Sequence, residues 1–179
     1  MDFDLTEDQE MLKETARDFL ATACPASLVR EMAADEQGHS LQLWQQMAQM
    51  GWMGMVIPEE YGGAGVGFTD FMVVLEEMGR ACLPGPFFST VVLGGLTILE
   101  AGSEEQKKEI LPQVAEGQLL LTLASTEPSA SYAPEGINTK ATPTDDGFLL
   151  QGTKLFVPHA HVSDYLIYTA RTRETGTPE

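Results

Sequence analysis

Up to about Gly117 the apolar residues recur at helical spacing, and beyond it they gather into short β-prone runs. Thr6 with Gln9 makes a capping box, which opens a helix whose apolar face is Leu12, Ala16, Phe19, Leu20 and Ala23; Pro25 closes it. Ser40 caps a second helix with Trp44, Met47 and Ala48 turned inward and Gly51 as its stop. The run "GWMGMVIPEEYGGAGVG" is too rich in glycine for a helix and is expected as a loop. A third helix is predicted from about Asp70 to Arg80, which places Phe71, Val74, Leu75 and Met78 on one side. "PFFSTVVLGGLTILEAG" reads as a largely buried helix whose glycine pair permits close packing. Ser103 and Gln106 form another capping box, and Pro112 is expected to limit the helix they open.

After Gly117 the runs "QLLLTLAST", "INTKATPT", "GFLLQGTKLFVP" and "DYLIYTART" read as short strands, with a turn at Asp145 to Gly147. The expected fold class is α+β, with an all-α domain over residues 1–118 followed by part of an antiparallel β-domain over 119–179. Four or five short strands close a barrel poorly, so the sequence is expected to stop inside a domain.

Composition narrows the function classes. Ten Lys and Arg against 27 Asp and Glu give a formal charge of −17, which disfavours nucleic acid and anionic membrane surfaces as partners. Cys24 and Cys82 lie far apart with no metal-binding spacing, and both are expected as reduced, buried or half-buried thiols. The opening "MDFDLTEDQE" lacks the basic and apolar segments of a targeting peptide, and no apolar run reaches membrane-spanning length. A cytoplasmic protein is the expectation.

Several segments carry a resemblance. "WMGMVIPEEYGGAGVG" (Trp52 to Gly67), "GSEEQKKEILPQVAEGQLL" (Gly102 to Leu120), "STEP" (Ser125 to Pro128) and "GFLLQGTKLFVPHAHVSDYLIYTAR" (Gly147 to Arg171) follow one another in order. In that order the chain resembles the acyl-CoA dehydrogenase family along essentially its whole length. The resemblance implies an N-terminal helical domain, a middle β-barrel domain of which only part is present, and a C-terminal four-helix bundle absent from this sequence. It implies FAD as cofactor and an acyl-CoA thioester as substrate. A carboxylate removes the α-proton while a hydride leaves the β-carbon for the flavin. A homo- or hetero-oligomer (dimer or tetramer) is implied as well, with electron-transfer flavoprotein or a similar acceptor as electron partner.

Carried over residue by residue, the resemblance assigns Ser125 and Thr126 to the flavin, together with Phe156, Val157 and Pro158. Thr126 matches the family's threonine and is the best single contact, through amide and hydroxyl. A loop of small residues lets amides approach a flat ring closely. Ser131 and Tyr132 fall where the family places residues beside the thioester, but "SASYA" replaces the usual Gly-Ala-Gly-Ser-Asp, so Tyr132 takes the serine position. Phe156 replaces a tryptophan, and an aromatic face remains to cover the ring. Pro158 replaces a Thr or Ser and offers neither amide nor hydroxyl. No catalytic base is assigned within the sequence; the family's glutamate is expected beyond Glu179.

Other features read as structural. His159 and His161 are expected as loop histidines rather than metal ligands, Glu59 and Glu60 as turn residues, and Lys154 as a surface lysine on a strand. The methionines of "MAQMGWMGM" are expected in the core, although thioethers also suit an adaptable acyl pocket. The departures at Tyr132 and Pro158 motivate a second reading, a non-catalytic partner subunit of a heteromeric dehydrogenase with a degenerate FAD site. An unrelated helical binding module with a β extension is a third, which the motif order disfavours.

Overall fold

The structure is a computed structural model and describes residues 4–131 and 133–172. Helix α1 (Glu7–Ala23) opens on the expected capping box. The Gln9 amide donates to the Thr6 hydroxyl at 3.2 Å, and the Thr6 amide donates to the Gln9 side chain at 3.0 Å. Pro25 then starts α2 (Ala26–Met32), a helix that apolar periodicity does not reveal because seven residues span barely two turns. In α3 (Leu41–Gln49) the Ser40 hydroxyl accepts the Leu43 amide, and Leu43, Trp44 and Met47 are buried. Helix α4 (Phe68–Arg80) begins two residues before the sequence expectation and buries Phe71, Val73, Val74, Glu77 and Met78.

Glu77 clamps α4 to α1. Arg17 donates to it through Nε at 3.1 Å and Nη2 at 2.7 Å, and Arg80 donates through Nε at 2.6 Å. The carboxylate is buried while both guanidinium groups are about half-exposed, at 47% and 50%. Its pKa drops to about 2, first because of the Arg17 hydrogen bond and against the opposing effect of burial.

The glycine-rich loop is ordered by its own backbone. Short 3₁₀ turns at Trp52–Gly54 and Glu59–Tyr61 fold it back, and the Ala64, Gly65 and Val66 amides donate to Gly54, Ile57 and Met55. A Cβ at Gly63 would lie 1.9 Å from the Ile57 carbonyl oxygen, so only glycine permits this approach. Glu59 and Glu60 fall in the second turn, as expected of turn residues.

The single helix expected around the glycine pair is instead a π-helical stretch (Phe88–Gly95) running into α5 (Leu96–Ala101). The Leu96 amide reaches back five residues to Val91. A Cβ at Gly94 would meet the Leu121 Cβ at 2.3 Å, so the wide turn and the missing side chain together admit the next element. Helix α6 (Glu104–Ala115) has its capping box at Ser103 and Gln106, but Pro112 does not limit it. The proline lies in the last turn, and burial of Leu111, Val114 and Ala115 offsets the lost backbone bond.

Strands β1 (Leu121–Ala124), β2 (Lys140–Thr144), β3 (Gly147–Gln151) and β4 (Tyr165–Tyr168) lie within the four predicted runs. β2 and β3 form the expected antiparallel hairpin about Asp145 and Asp146. β1 and β4, however, pair in parallel, Leu121 opposite Tyr165, which corrects the wholly antiparallel expectation. The long connection between them holds the hairpin and returns the chain in its original direction. The stretch "KLFVP" is not strand.

One core cluster, including Leu20, Trp44, Met53, Phe71 and Val91, lies among the helices. Met47, Met53 and Met55 are buried core residues, whereas Met50 is exposed. A second cluster joins Ile57, Leu111 and Val114 to Leu121 of β1, with Ile167 of β4 against it. Cys24 is buried, but Cys82 is exposed, contrary to expectation, because it follows α4 in a left-handed turn with φ +52°. No helix among the described residues is long and apolar enough to cross a membrane.

Candidate functional site

β1 is fixed from both sides. On one side the Thr90 hydroxyl accepts the Leu121 amide at 3.2 Å and donates to the Leu121 carbonyl at 3.3 Å, filling the place of a neighbouring peptide. On the other, the Leu120 amide donates to Asp164 Oδ2 at 2.8 Å, and β4 follows in register. The strand therefore delivers Ser125 and Thr126 to a fixed point where the helical and β parts meet.

There the two motifs come together. The Leu155 amide donates to the Thr126 carbonyl at 2.8 Å. Lys154 Nζ donates to Glu127 Oε1 at 2.7 Å, to Thr169 Oγ1 at 2.9 Å and to the Ser125 carbonyl at 3.4 Å. Glu127 also accepts the Asn138 amide at 2.7 Å and the Thr139 amide at 3.0 Å. The Lys154 and Glu127 side chains are 3% and 4% exposed, so Lys154 is neither on the surface nor on a strand. With Lys154 and these amides beside it, the Glu127 carboxyl is held well below the usual carboxylate range.

Beyond Leu155 the backbone is bent into unusual shapes. Phe156 and His159 both have left-handed φ, at +52° and +54°, uncommon for side chains of this bulk. The Phe156 ring is 89% exposed. Thr122 Oγ1 donates to the Pro158 carbonyl at 2.7 Å, and His159 Nδ1 lies 3.1 Å from Ser89 Oγ. Ser89 gives its one proton to the Pro86 carbonyl at 3.0 Å, so the ring nitrogen donates. Burial pushes the His159 pKa down and favours the neutral ring. The segment is thereby tied to β1 and to the helical part at once.

Among the described residues, the amides of Thr126, Phe156 and Val157 and the hydroxyl of Thr126 take no protein partner. Three free amides and a hydroxyl beside an exposed aromatic ring, on a strained backbone, suit a flat ligand with hydrogen-bond acceptors along its edge. An isoalloxazine has that chemistry, so the residues present fit FAD, with Pro158 as the one position that offers nothing.

Of the residues assigned from sequence, Ser125, Thr126, Phe156, Val157 and Pro158 thus lie on adjoining segments. Ser131 does not join them: its hydroxyl accepts the Ala133 amide at 3.2 Å inside its own exposed loop. Tyr132 lies outside the described residues. Sequence reasoning missed the Glu127–Lys154 pair and the Ser89–His159 contact. The first had a signal, since "STEP" and "GTKLFVP" each carry one charge, Glu127 and Lys154, and the signs are opposite; the second had none. His159 and His161 lie in a turn, and no metal-binding group of three or more ligands occurs among the described residues.

Comparison with known proteins agrees with this geometry. The family described as "Acyl-CoA dehydrogenase, N-terminal domain" matches residues 6–118, more than half of the chain. The probable acyl-CoA dehydrogenase YngJ of Bacillus subtilis is 32% identical over 175 residues, covering 96% of this chain and 45% of that protein. The solved structure of the Tcur3481–Tcur3483 steroid ACAD superposes with a TM-score of 0.83 at 30% identity, covering 99% of this chain and 46% of that one. The ChsE4–ChsE5 complex from Mycobacterium tuberculosis gives a TM-score of 0.81 at 26% identity, covering 93% and 44%. The chain spans a little under half the length of these relatives. A helical half, an early sheet clasped to it and a family match over residues 6–118 lead to one conclusion, that the chain belongs to the acyl-CoA dehydrogenase family.

Proposed function

We propose that this chain is the helical and early β portion of an FAD-dependent acyl-CoA dehydrogenase that introduces an α,β double bond into an acyl-CoA thioester. One observation supports the reading: the Leu155 amide donates to the Thr126 carbonyl, which brings two motifs distant in sequence, with unpartnered amides at Thr126 and at Phe156 and Val157, onto adjoining segments. A bound flavin supplies the hydride acceptor for this chemistry. The chain's own residues hold and orient it. Thr126 donates from amide and hydroxyl, Phe156 and Val157 donate from their amides, and the Phe156 ring covers part of a face. Ser131 and Tyr132 are assigned to the thioester side of the loop.

The proton-abstracting carboxylate is assigned outside these residues. Glu127 is engaged by Lys154, and Glu77 is locked between two arginines, so neither is offered as the base. Electrons are assigned to electron-transfer flavoprotein or a similar acceptor.

A second reading rests on two departures in sequence: Pro158 removes a donor, and Tyr132 replaces the family's serine with a larger residue. In it the chain is the flavin-poor partner of a two-component dehydrogenase, a reading in keeping with the paired components named in the two solved relatives. Purification of the full-length protein separates the two. Flavin absorbance in the isolated protein, and turnover with an acyl-CoA series, support the first. Colourless protein that FAD does not reconstitute, yet that co-purifies with a second subunit, supports the partner reading. If Pro158 limits affinity, Pro158→Thr tightens FAD binding by about three- to tenfold, the equivalent of one hydrogen bond; unchanged affinity sinks that account.

A further inference from the structure

We infer that the buried Glu127–Lys154 pair is the positioning device of the flavin edge, locking the Ser125–Glu127 loop against the Lys154–Val157 segment before any ring binds. The inference rests on the flavin reading above and adds to it two residues that touch no cofactor.

The contrast with Glu77 carries the argument. That carboxylate is buried, but its two arginines keep half their surface in water, so little cation desolvation is incurred. At Glu127 and Lys154 both charges are withdrawn from solvent. An apolar pair of similar volume would stabilise such a position at least as well. What an apolar pair cannot supply is direction.

Lys154 directs its ammonium at three oxygens on two separate segments, those of Ser125 and Glu127 in one loop and that of Thr169 just past β4. Glu127 receives two further amides at the entry to β2. Neither the 125–127 loop nor the 154–157 segment belongs to a sheet; among the described residues the direct links between them are Lys154 and the Leu155–Thr126 bond. Removing the pair leaves the Leu155–Thr126 bond, with the Thr122–Pro158 contact beyond Val157, to set the spacing between the Thr126 amide and those of Phe156 and Val157. Preorganised donors keep their advantage only when such spacing is held by surrounding contacts.

The test compares the full-length wild type with Lys154→Met, Glu127→Gln and Thr169→Val, which trims one partner of the ammonium and leaves both charges. FAD affinity is measured by flavin fluorescence, and amide hydrogen exchange is followed in the apo-proteins. Lys154→Met and Glu127→Gln are expected to weaken FAD by about tenfold or more, and Thr169→Val by about threefold. Exchange should quicken by a similar factor at the bonded amides of Asn138, Thr139 and Leu155 while α1 and α4 keep wild-type protection, which separates lost positioning from general unfolding. Wild-type affinity and wild-type exchange in all three variants would overturn the inference. A wild type that binds no FAD while Lys154→Met still quickens exchange at those amides would overturn the flavin reading instead.

Discussion

The helical and β parts of this chain are held together by different means. Among the helices, Leu20, Met53, Phe71, Val74 and Val91 are essentially without exposed surface, and aromatic edges meet at Phe19–Trp52 and Trp44–Phe87. Past Leu121, Ala124 and Ala141 are the buried apolar residues among those described, while Phe148, Leu149, Leu150 and Phe156 are exposed. Cohesion there comes from directed contacts: Lys154 on Glu127, Thr122 on Pro158, and Arg171 on the carbonyls of Pro134 and Ile137. Hydrophobic burial is non-directional and fills space, whereas hydrogen bonds fix angles. A part held by angles keeps donors in place while leaving a face open, which a cofactor edge requires.

The comparison breaks most visibly in the helical core. Phe71→Ala should lower stability by about 3–5 kcal/mol, read from the urea unfolding midpoint, because transfer and cavity costs add at a site with no exposure. At the seam, Gly94→Ala drives a methyl into Leu121 Cβ and should cost about 1–3 kcal/mol. The same change should speed amide exchange in β1 ahead of α1. Protection retained in β1 would mean that the seam yields elsewhere.

Glu77→Gln should cost about 1–2 kcal/mol, since the half-exposed arginines regain water and the amide keeps an acceptor. This contribution is pH-dependent. The folded-state pKa of about 2 lies below the ordinary 4.5, so the unfolded chain takes up the proton first as pH falls. The gap between wild type and Glu77→Gln is therefore full above about pH 4.5 and closes as pH falls towards 2. A gap constant across that range would contradict the clamp. Smallest of all, Phe148→Ser on the hairpin should change stability by no more than about 0.5 kcal/mol, as its ring is 59% exposed. A loss comparable to that of Phe71→Ala would show that the β part has an apolar core after all.

The site was legible as two motifs but not as a place. "STEP" and "GTKLFVP" are the motifs on which the flavin proposal rests, and their contact across the junction is what the fold adds. Lys154 shows the limit. On sequence it stands between polar and apolar neighbours like any strand lysine, and only the fold buries it against Glu127.

Helix starts at Thr6, Ser40 and Ser103, the inner faces around Trp44 and Phe71 and the turn at Asp145 were all readable, because each depends on residues within about four positions of one another. The parallel partner of β1, the wide helical turn beside Gly94, Pro112 inside α6 and the Lys154–Glu127 and Ser89–His159 contacts were decided by packing. Those last two span 27 and 70 positions of chain. No local period marks such a pair; it exists only once the helical core has closed and carried β1 to its edge.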